Sequence, residues 1–324
     1  MKRTLSTKDK KPTAILSGDI HLTDSVPVSR VDDYLEAQYT KLKFLKDLQK
    51  KWNCPVWDAG DVFDYWKASP WLLSRAHQML PDMVTIPGNH DMPEHNLNLF
   101  MKSALWHQAQ VRPGTTVLGL PGLTNIYQQG DEYVIVGLPY DQLDKFDVNV
   151  LFNQPDFPEG VETFVLMLHE FIWPGKTPPW KGAPGYSAQE ILKRFSPYFD
   201  VIVTSDNHQS FVETYKDTIL VNPGAMMRDD AGTVNDKPRC YLYYADTNTV
   251  VPAYYPIKEG VHDISYLEGV KERDARIEAY IAKITHGTDG ALGLSFETNL
   301  ESFFKSNNTP KKIKELIWHH MELV

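Results

Sequence analysis

Thr13-Ala14-Ile15-Leu16-Ser17-Gly18-Asp19-Ile20-His21 is the stretch on which the fold turns. A short apolar strand, Thr13 to Leu16, runs straight into Gly18-Asp19. The same construction recurs twice within the first hundred residues. Pro55-Val56-Trp57 runs into Gly60-Asp61, and Met83-Val84-Thr85-Ile86 runs into Pro87-Gly88-Asn89-His90-Asp91. Between the first two strands Leu35, Tyr39, Leu42, Leu45 and Leu48 fall three or four apart, the stripe of an amphipathic helix. Before the third strand Ser69-Pro70 supplies an N-cap followed by proline at the first helical position. Strands alternating with helices predict a parallel sheet with right-handed crossovers, an α/β fold.

The second half keeps this habit. Phe164-Val165-Leu166-Met167-Leu168 reads as a buried strand ending at His169, and Val201-Ile202-Val203-Thr204 as another ending at Ser205-Asp206-Asn207-His208. Ser187 and Glu190 have capping-box spacing ahead of Ile191-Leu192. From there to about residue 256 short β segments are expected at 211–215, 219–222, 240–245 and 250–255. Beyond about residue 260 the chain turns charged and mainly helical, at 270–284 and 311–321, with His286-Gly287-Thr288-Asp289-Gly290 between. The expected division is a 1–258 domain and a small appended α/β region, 259–324.

The 324 residues leave room for one large domain with a small appendage. No apolar run approaches the length that crosses a bilayer, so no membrane association is expected. The N-terminus is basic, but no apolar h-region follows, so a secretory signal is not expected either. Cys54 and Cys240 form no Cys-x-x-Cys and read as buried thiols in a reducing cytoplasm, which excludes a disulfide framework or a thiolate zinc site. The net charge of −9 speaks against a nucleic-acid binder. That objection weakens if carboxylates hold metal, because two divalent ions would add four positive charges. Lys41, Lys43, Lys46, Lys50 and Lys51, and again Lys311, Lys312 and Lys314, read as solvated helix faces, with a track for a phosphate backbone as the alternative.

Five polar segments follow directly on apolar strands: Gly18-Asp19-Ile20-His21, Gly60-Asp61-Val62-Phe63-Asp64, Gly88-Asn89-His90-Asp91, His169, and Asp206-Asn207-His208. Ligands of open α/β sheets bind beyond the carboxyl ends of the strands, so the five would converge on one crevice. Their Asp, His and Asn side chains are hard or borderline metal ligands without a thiolate. Two divalent ions about 3.5–4 Å apart would clamp the attacking and leaving oxygens of a phosphoryl displacement. A carboxylate is the natural bridge between them.

In this order the segments resemble the calcineurin-like metallophosphoesterase superfamily. Gly88-Asn89-His90-Asp91-Met92-Pro93-Glu94-His95-Asn96, Ser205-Asp206-Asn207-His208-Gln209-Ser210-Phe211 and Val221-Asn222-Pro223-Gly224 are similar to SbcD-type DNA-repair nucleases, especially compact phage-like versions. The resemblance implies a sandwich of two mixed β-sheets flanked by helices. It implies one ion on Asp19, His21, Asp61 and His208, and a second on Asp61, Asn89, His169 and Asp206. His90 would be the non-ligand catalytic histidine and Asp64 the carboxylate that orients it and favours its charged form. The nucleophile would be hydroxide, since a divalent ion lowers the pKa of water into the working range. The fifth motif departs from the family's Gly-His-x-His, because Asp206 puts a carboxylate where an imidazole is usual. That either shifts preference toward Mn²⁺ or Mg²⁺ over Zn²⁺, or weakens the second position. Implied partners are DNA, an SbcC-type ATPase, and a second copy of the chain, in the cytoplasm of the host if the chain is phage-encoded.

The loop from Trp173 to Gly182 is either a proline-stiffened surface loop or a substrate wall, with Trp180 as a stacking face and Lys176 or Lys181 on phosphate. Arg228 is a further candidate for substrate contact. Helical segments from Trp71 to Leu80 and from Leu97 to Trp106 carry more large apolar residues than one buried stripe needs, which fits a dimer contact or burial on both sides. The expected activity is two-metal phosphodiester hydrolysis, as a DNA exo- or endonuclease in repair, recombination or replication. Small-molecule or phosphoprotein hydrolysis by the same chemistry stands as an alternative, as does a non-catalytic scaffold with a decayed site.

Overall fold

Four residues display the construction of the molecule. In β1 (Ala14–Ser17) the side chains alternate between faces: Ala14 and Leu16 enter one apolar cluster and Ile15 another, and all three are fully buried. The computed structural model describes residues 10–120, 126–155, 157–229, 232–263, 265, 296–307 and 309–314. The chain divides into two compact units, Met1–Asp263 and Ile264–Val324.

The first unit holds two six-stranded mixed sheets. In one, β1, β2 (Val56–Asp58), β3 (Met83–Thr85) and β4 (Thr115–Val117) run parallel. On the other side of β1, β13 (Arg239–Tyr244) is antiparallel, and β14 (Thr249–Tyr254) forms the edge. The second sheet has the order β11 (Phe211–Tyr215), β12 (Thr218–Asn222), β10 (Val201–Ser205), β7 (Phe164–His169), β6 (Tyr133–Leu138), β5 (Ile126–Gln129). Its four inner strands are parallel and its two edges antiparallel. β8 (Ile172–Trp173) and β9 (Tyr186–Ser187) make a two-stranded parallel ribbon. The expected two-sheet α/β sandwich is what the chain adopts.

Inward residues of both sheets share one cluster, with Leu16, Trp57, Val165, Met167, Val201 and Val203 among them. Outward residues of β7 and β10, such as Leu166, Leu168 and Ile202, pack against α4 (Val148–Phe152) and α5 (Ala188–Phe195). The outer face of the first sheet is covered by α1 (Tyr34–Trp52), α2 (Pro70–Met79) and α3 (Ala104–Val111). Each fully buried aliphatic side chain contributes roughly 1.5–3 kcal/mol, so the alternation of strand faces drives the four-layer packing of helices, two sheets and helices.

Local signals set the helix ends. Ser69 accepts from the Leu72 amide ahead of Pro70, and Ser187 accepts from the Glu190 amide. Two expectations are corrected. Lys41 does not join a solvated face but is buried in α1, its Nζ donating to the Met226 carbonyl at 2.6 Å. Leu97 to Trp106 is not one helix. A 3₁₀ turn covers Leu97–Lys102, and Ser103, in extended conformation, breaks it and caps α3 through the Trp106 amide. In the second unit a helix spans Phe296–Ser306 and residues 311–314 are helical. The helix expected at 270–284, the break at 286–290 and the end of the 311–321 helix lie outside the described residues.

Candidate metal centre

The five polar segments leave the carboxyl ends of β1, β2, β3, β7 and β10, three strands of one sheet and two of the other. The turns off these strands are tight. Asp19, His21, Asp61 and Asp206 all have left-handed backbone, with φ of 47°, 46°, 54° and 77°. Such conformations are uncommon outside glycine, least so for Asp, Asn and His, and cost of order 1–3 kcal/mol each. They persist because neighbouring loops bond to one another. The amides of Asp19, His21 and Leu22 donate to the carbonyls of Gly60, Asp61 and Val62 at 3.0, 2.9 and 2.9 Å. Gly60 sits at φ 102°, where a Cβ would come within 2.7 Å of His169 Nδ1. Gly88 packs so closely on the Asp61 carboxylate that no side chain fits.

The loops bring all seven expected ligands into one pocket. His21 Nε2 lies 3.8 Å from Asp19 Oδ1 and 3.6 Å from Asp61 Oδ2. His208 and His21 meet edge-on with ring centroids 4.9 Å apart. On the other side of Asp61, His169 Nε2 lies 3.3 Å from Asp61 Oδ2, 3.0 Å from Asn89 Oδ1 and 3.9 Å from Asp206 Oδ1. His169 Nδ1 is held by the Ala59 carbonyl at 2.7 Å, which aims Nε2 into the pocket. The Asp206 amide donates to Asp19 Oδ1 at 3.1 Å. Ligand atoms of Asp19, His21 and His208 lie within 4.8 Å of one another, as do those of His21, Asp61 and His90, and those of Asp19, Asp61 and His169.

Divalent ions fit this donor set. Asp19 Oδ2 and His21 Nε2 are buried with no hydrogen-bond partner, which is costly for an ionised carboxylate and an imidazole unless something binds them. The electrostatics also mark a shortage of positive charge. Burial would lower the His21 pKa, yet its hydrogen bond to Asp64 and the carboxylates of Asp61 and Asp19 push it up to about 9. Burial opposes the charge on His169 too, but Asp61 drives it well above its usual value. Burial, with Asp19 and Asp61, raises the Asp206 carboxyl against the pull of His169. When bound, divalent ions supply Lewis-acid activation of a phosphoryl oxygen and a lowered pKa of water.

His90 and Asp64 are both at the site, but not as the expected carboxylate–imidazole pair. His90 Nδ1 hydrogen-bonds the Asp64 backbone carbonyl at 2.6 Å, while the Asp64 carboxylate faces His21 Nδ1 at 3.4 Å. The carboxylate therefore supports a candidate ligand, and the main chain orients His90. Nδ1 of His90 must carry its proton to donate to that carbonyl, which leaves Nε2 for other business. The ring stands edge-on to His21 at 4.8 Å.

Arg228 is corrected as a substrate contact. It is 4% exposed, and its terminal nitrogens donate to the carbonyls of Val234 and Lys258 at 2.8 and 2.7 Å. Trp180 is exposed and lines a cavity that also touches His208. Lys176 and Lys181 are exposed on the same loop but do not line that cavity.

The sequence reading passed over Asp91. It is fully buried, and its carboxylate accepts from the amides of Val62, Phe63 and Gly88 at 3.2, 3.1 and 3.2 Å. One side chain thus staples the loop carrying Asp61 to the loop carrying Asn89 and His90. Burial and the Asp61 charge push its pKa up to about 7. Asp58, also buried, accepts from the Thr85 hydroxyl and the Gly60 amide and is pushed up to about 7 by burial. The signal for Asp91 was its place in Gly88-Asn89-His90-Asp91, where every residue has a task.

Strand-end Asp, His and Asn side chains gathered around Asp61 mark a metal-dependent phosphoesterase. The Calcineurin-like phosphoesterase family model matches residues 13–211, more than half of the sequence, and the chain belongs to that family. No curated protein matches the sequence significantly. Among solved structures it is similar to a novel archaeal phosphodiesterase, at 12% identity and TM-score 0.38, over 74% of this chain and 98% of that one. It is also similar to a putative 5′-nucleotidase from Staphylococcus aureus, at 12% identity and TM-score 0.43, over 77% of this chain and 54% of that one. A metallophosphoesterase from Sphaerobacter thermophilus gives 13% identity and TM-score 0.34, over 76% and 89%. Likenesses this distant carry nothing about substrate.

Proposed function

We propose that the chain is a two-metal phosphodiesterase that cleaves DNA, as SbcD-type nucleases do. The observation that carries the chemistry is the meeting of the seven expected ligand side chains, Asp61 at their centre, with the His90 ring 4.8 Å from that of His21. Asp19, His21, Asp61 and His208 hold one ion; Asp61, Asn89, His169 and Asp206 hold the other. Asp206 adds an anionic oxygen, so Mn²⁺, with Mg²⁺ next, is the expected activator. His90 Nε2 donates to the phosphate or protonates the leaving oxygen.

The DNA substrate rests on the stretch after Asn89-His90-Asp91 and on the exposed aromatic and basic groups near His208. A second copy of the chain would pack on the exposed Trp71 and Met101. An SbcC-type ATPase would dock on the second unit, in the cytoplasm. The deciding experiment incubates metal-stripped protein with labelled single- and double-stranded DNA and with a generic phosphodiester, adding Mn²⁺, Mg²⁺ or Zn²⁺ in turn. Cleavage of DNA with Mn²⁺ is expected. Good hydrolysis of the small diester with DNA untouched would replace this proposal by small-molecule phosphodiester hydrolysis.

A further inference from the structure

Two cavities meet at His208, and they differ in character. One, of about 460 Å³, is walled by Phe171, Trp173 and Trp180, with His208 and Gln209 at one end. The other, of about 240 Å³, is lined by His208 and Gln209 again, together with Lys237 and Arg239. Asp236 lies on both. An aromatic chamber and a basic chamber thus adjoin one of the candidate metal ligands.

The aromatic chamber is built, not incidental. Phe171 stands 5.6 Å from Trp180 and 6.3 Å from Trp173, centroid to centroid. Trp180 keeps 54% of its surface exposed beside the cavity, a large apolar face without a cover. Trp173 is 8% exposed and backs the chamber, with its indole N–H buried. The loop behind it is fixed. The Tyr186 amide donates to the Phe171 carbonyl at 3.0 Å, and Gly185, at φ 99°, lies where a side chain would strike that carbonyl.

We infer that the two cavities bind one nucleotide step of a single strand: the nucleobase in the Phe171–Trp173–Trp180 chamber, and the neighbouring phosphate against Lys237 and Arg239. The inference rests on the phosphodiesterase function proposed above and adds its substrate class. A planar heteroaromatic group suits the first chamber because it stacks on the exposed Trp180 indole, while the Gln209 amide can meet its edge. A phosphate suits the second because Lys237 and Arg239 outweigh Asp236, the one carboxylate among the described residues that lines it, and the Arg239 guanidinium is steadied over the Tyr254 ring. An unpaired strand turns a base into such a chamber without the cost of breaking a pair, so single-stranded DNA or frayed ends are favoured over an intact duplex.

The test uses full-length protein with Mn²⁺ and three substrates that share the chemistry: methyl p-nitrophenyl phosphate, thymidine 5′-p-nitrophenyl phosphate, and a single-stranded oligothymidylate. Wild type should prefer the thymidine ester to the methyl ester. In Trp180→Ala that preference, as a ratio of kcat/KM, should fall about ten-fold through KM, and Trp180→Phe should retain most of it. Lys237→Ala and Arg239→Gln should lower the preference for oligothymidylate over the thymidine ester and flatten its salt dependence by about one unit each. Unchanged ratios in all variants overturn the inference, as does a wild type that hydrolyses the methyl ester no worse than the thymidine ester. A wild type inactive on all three substrates removes the proposed phosphodiesterase function itself, which no variant result could imitate.

Discussion

His90 touches Asp64 through the main chain and not through its carboxylate, so the two residues should separate cleanly by mutation. His90→Ala should lower turnover by about 10²- to 10⁴-fold, the usual worth of a positioned acid or base, with metal content unchanged. Asp64→Asn keeps the carbonyl that orients His90 but removes the anion behind His21. Its main defect should be in metal affinity, a Mn²⁺ activation curve moved to about 10- to 100-fold higher concentration, with turnover recovered at saturation. If Asp64→Asn stayed inactive at saturating Mn²⁺, its carboxylate would be acting on chemistry after all. Asp206 offers a second separation. It lies 3.9 Å from His169 Nε2 and is bonded to Asp19 through its amide, not its side chain. Asp206→His should therefore leave the loop in place, retain activity and move metal preference toward Zn²⁺ or Co²⁺. Asp206→Ala should reduce the metal count by one per chain in elemental analysis; two ions remaining would show that this carboxylate is no ligand.

Helix α1 carries a cost that its sequence hides. Lys41 sits on the buried side, between Arg30 and Arg228, and burial first, then those two cations, pull its pKa down to about 7. Asp229 and Asp32 pull the other way. Because the folded pKa is below the unfolded one, the unfolded chain binds the extra proton between about pH 7 and 10.5. The penalty is fully present below pH 7 and relaxes as pH rises through that window, at a limiting slope of about 1.4 kcal/mol per pH unit. Lys41→Met should flatten this rise, which urea midpoints at pH 6.5, 8 and 9.5 for both proteins would measure. An identical slope in the two would mean Lys41 keeps its proton throughout. Nothing in the lysine-rich run from Lys41 to Lys51 distinguishes the buried lysine, since what buries it is the loop around Met226, remote in sequence. The same limit explains other elements. Strands that end in a ligand were legible because apolar run and polar stop coincide, and Ser69 and Ser187 were legible as caps because capping is local. By contrast, β4, β5 and β6 carry no ligand and drew no attention, although Tyr133 to Leu138 is buried at every position. The break at Ser103 went unseen because the apolar content of Leu97 to Trp106 outweighed one serine.

Across the first unit, the two sheets already share an apolar core, and the site adds a polar junction at their carboxyl ends. Its seven candidate ligands were legible because each residue type and position has a chemical reason. Their mutual distances were not, nor was the stapling by Asp91, because these depend on how two sheets are set face to face. β1, β2 and β3 belong to one sheet, β7 and β10 to the other, and the polar segments at their carboxyl ends meet at the pocket. Among the described residues the pocket's carboxylates outnumber their fixed cationic partners, and Asp19 Oδ2 has none. Ions bound there should thus act as cross-links between the sheets and neutralise a charge cluster that otherwise strains the loops. A ligand at about 100 times its Kd stabilises the native state by about 2.7 kcal/mol per site. For a unit of this size each kcal/mol moves Tm by roughly 2–4 °C. Stripping metal with EDTA should then lower Tm by about 5–10 °C per ion lost, and Mn²⁺ should restore it. His90→Ala should show the full shift, since the proposed ligand set leaves it out. Asp61→Asn should show almost none, because the shared ligand has lost its charge. A Tm indifferent to EDTA in wild type would mean that metal contributes nothing to holding the two sheets together, and that the left-handed loops at Asp19, His21, Asp61 and Asp206 are fixed by their backbone bonds alone.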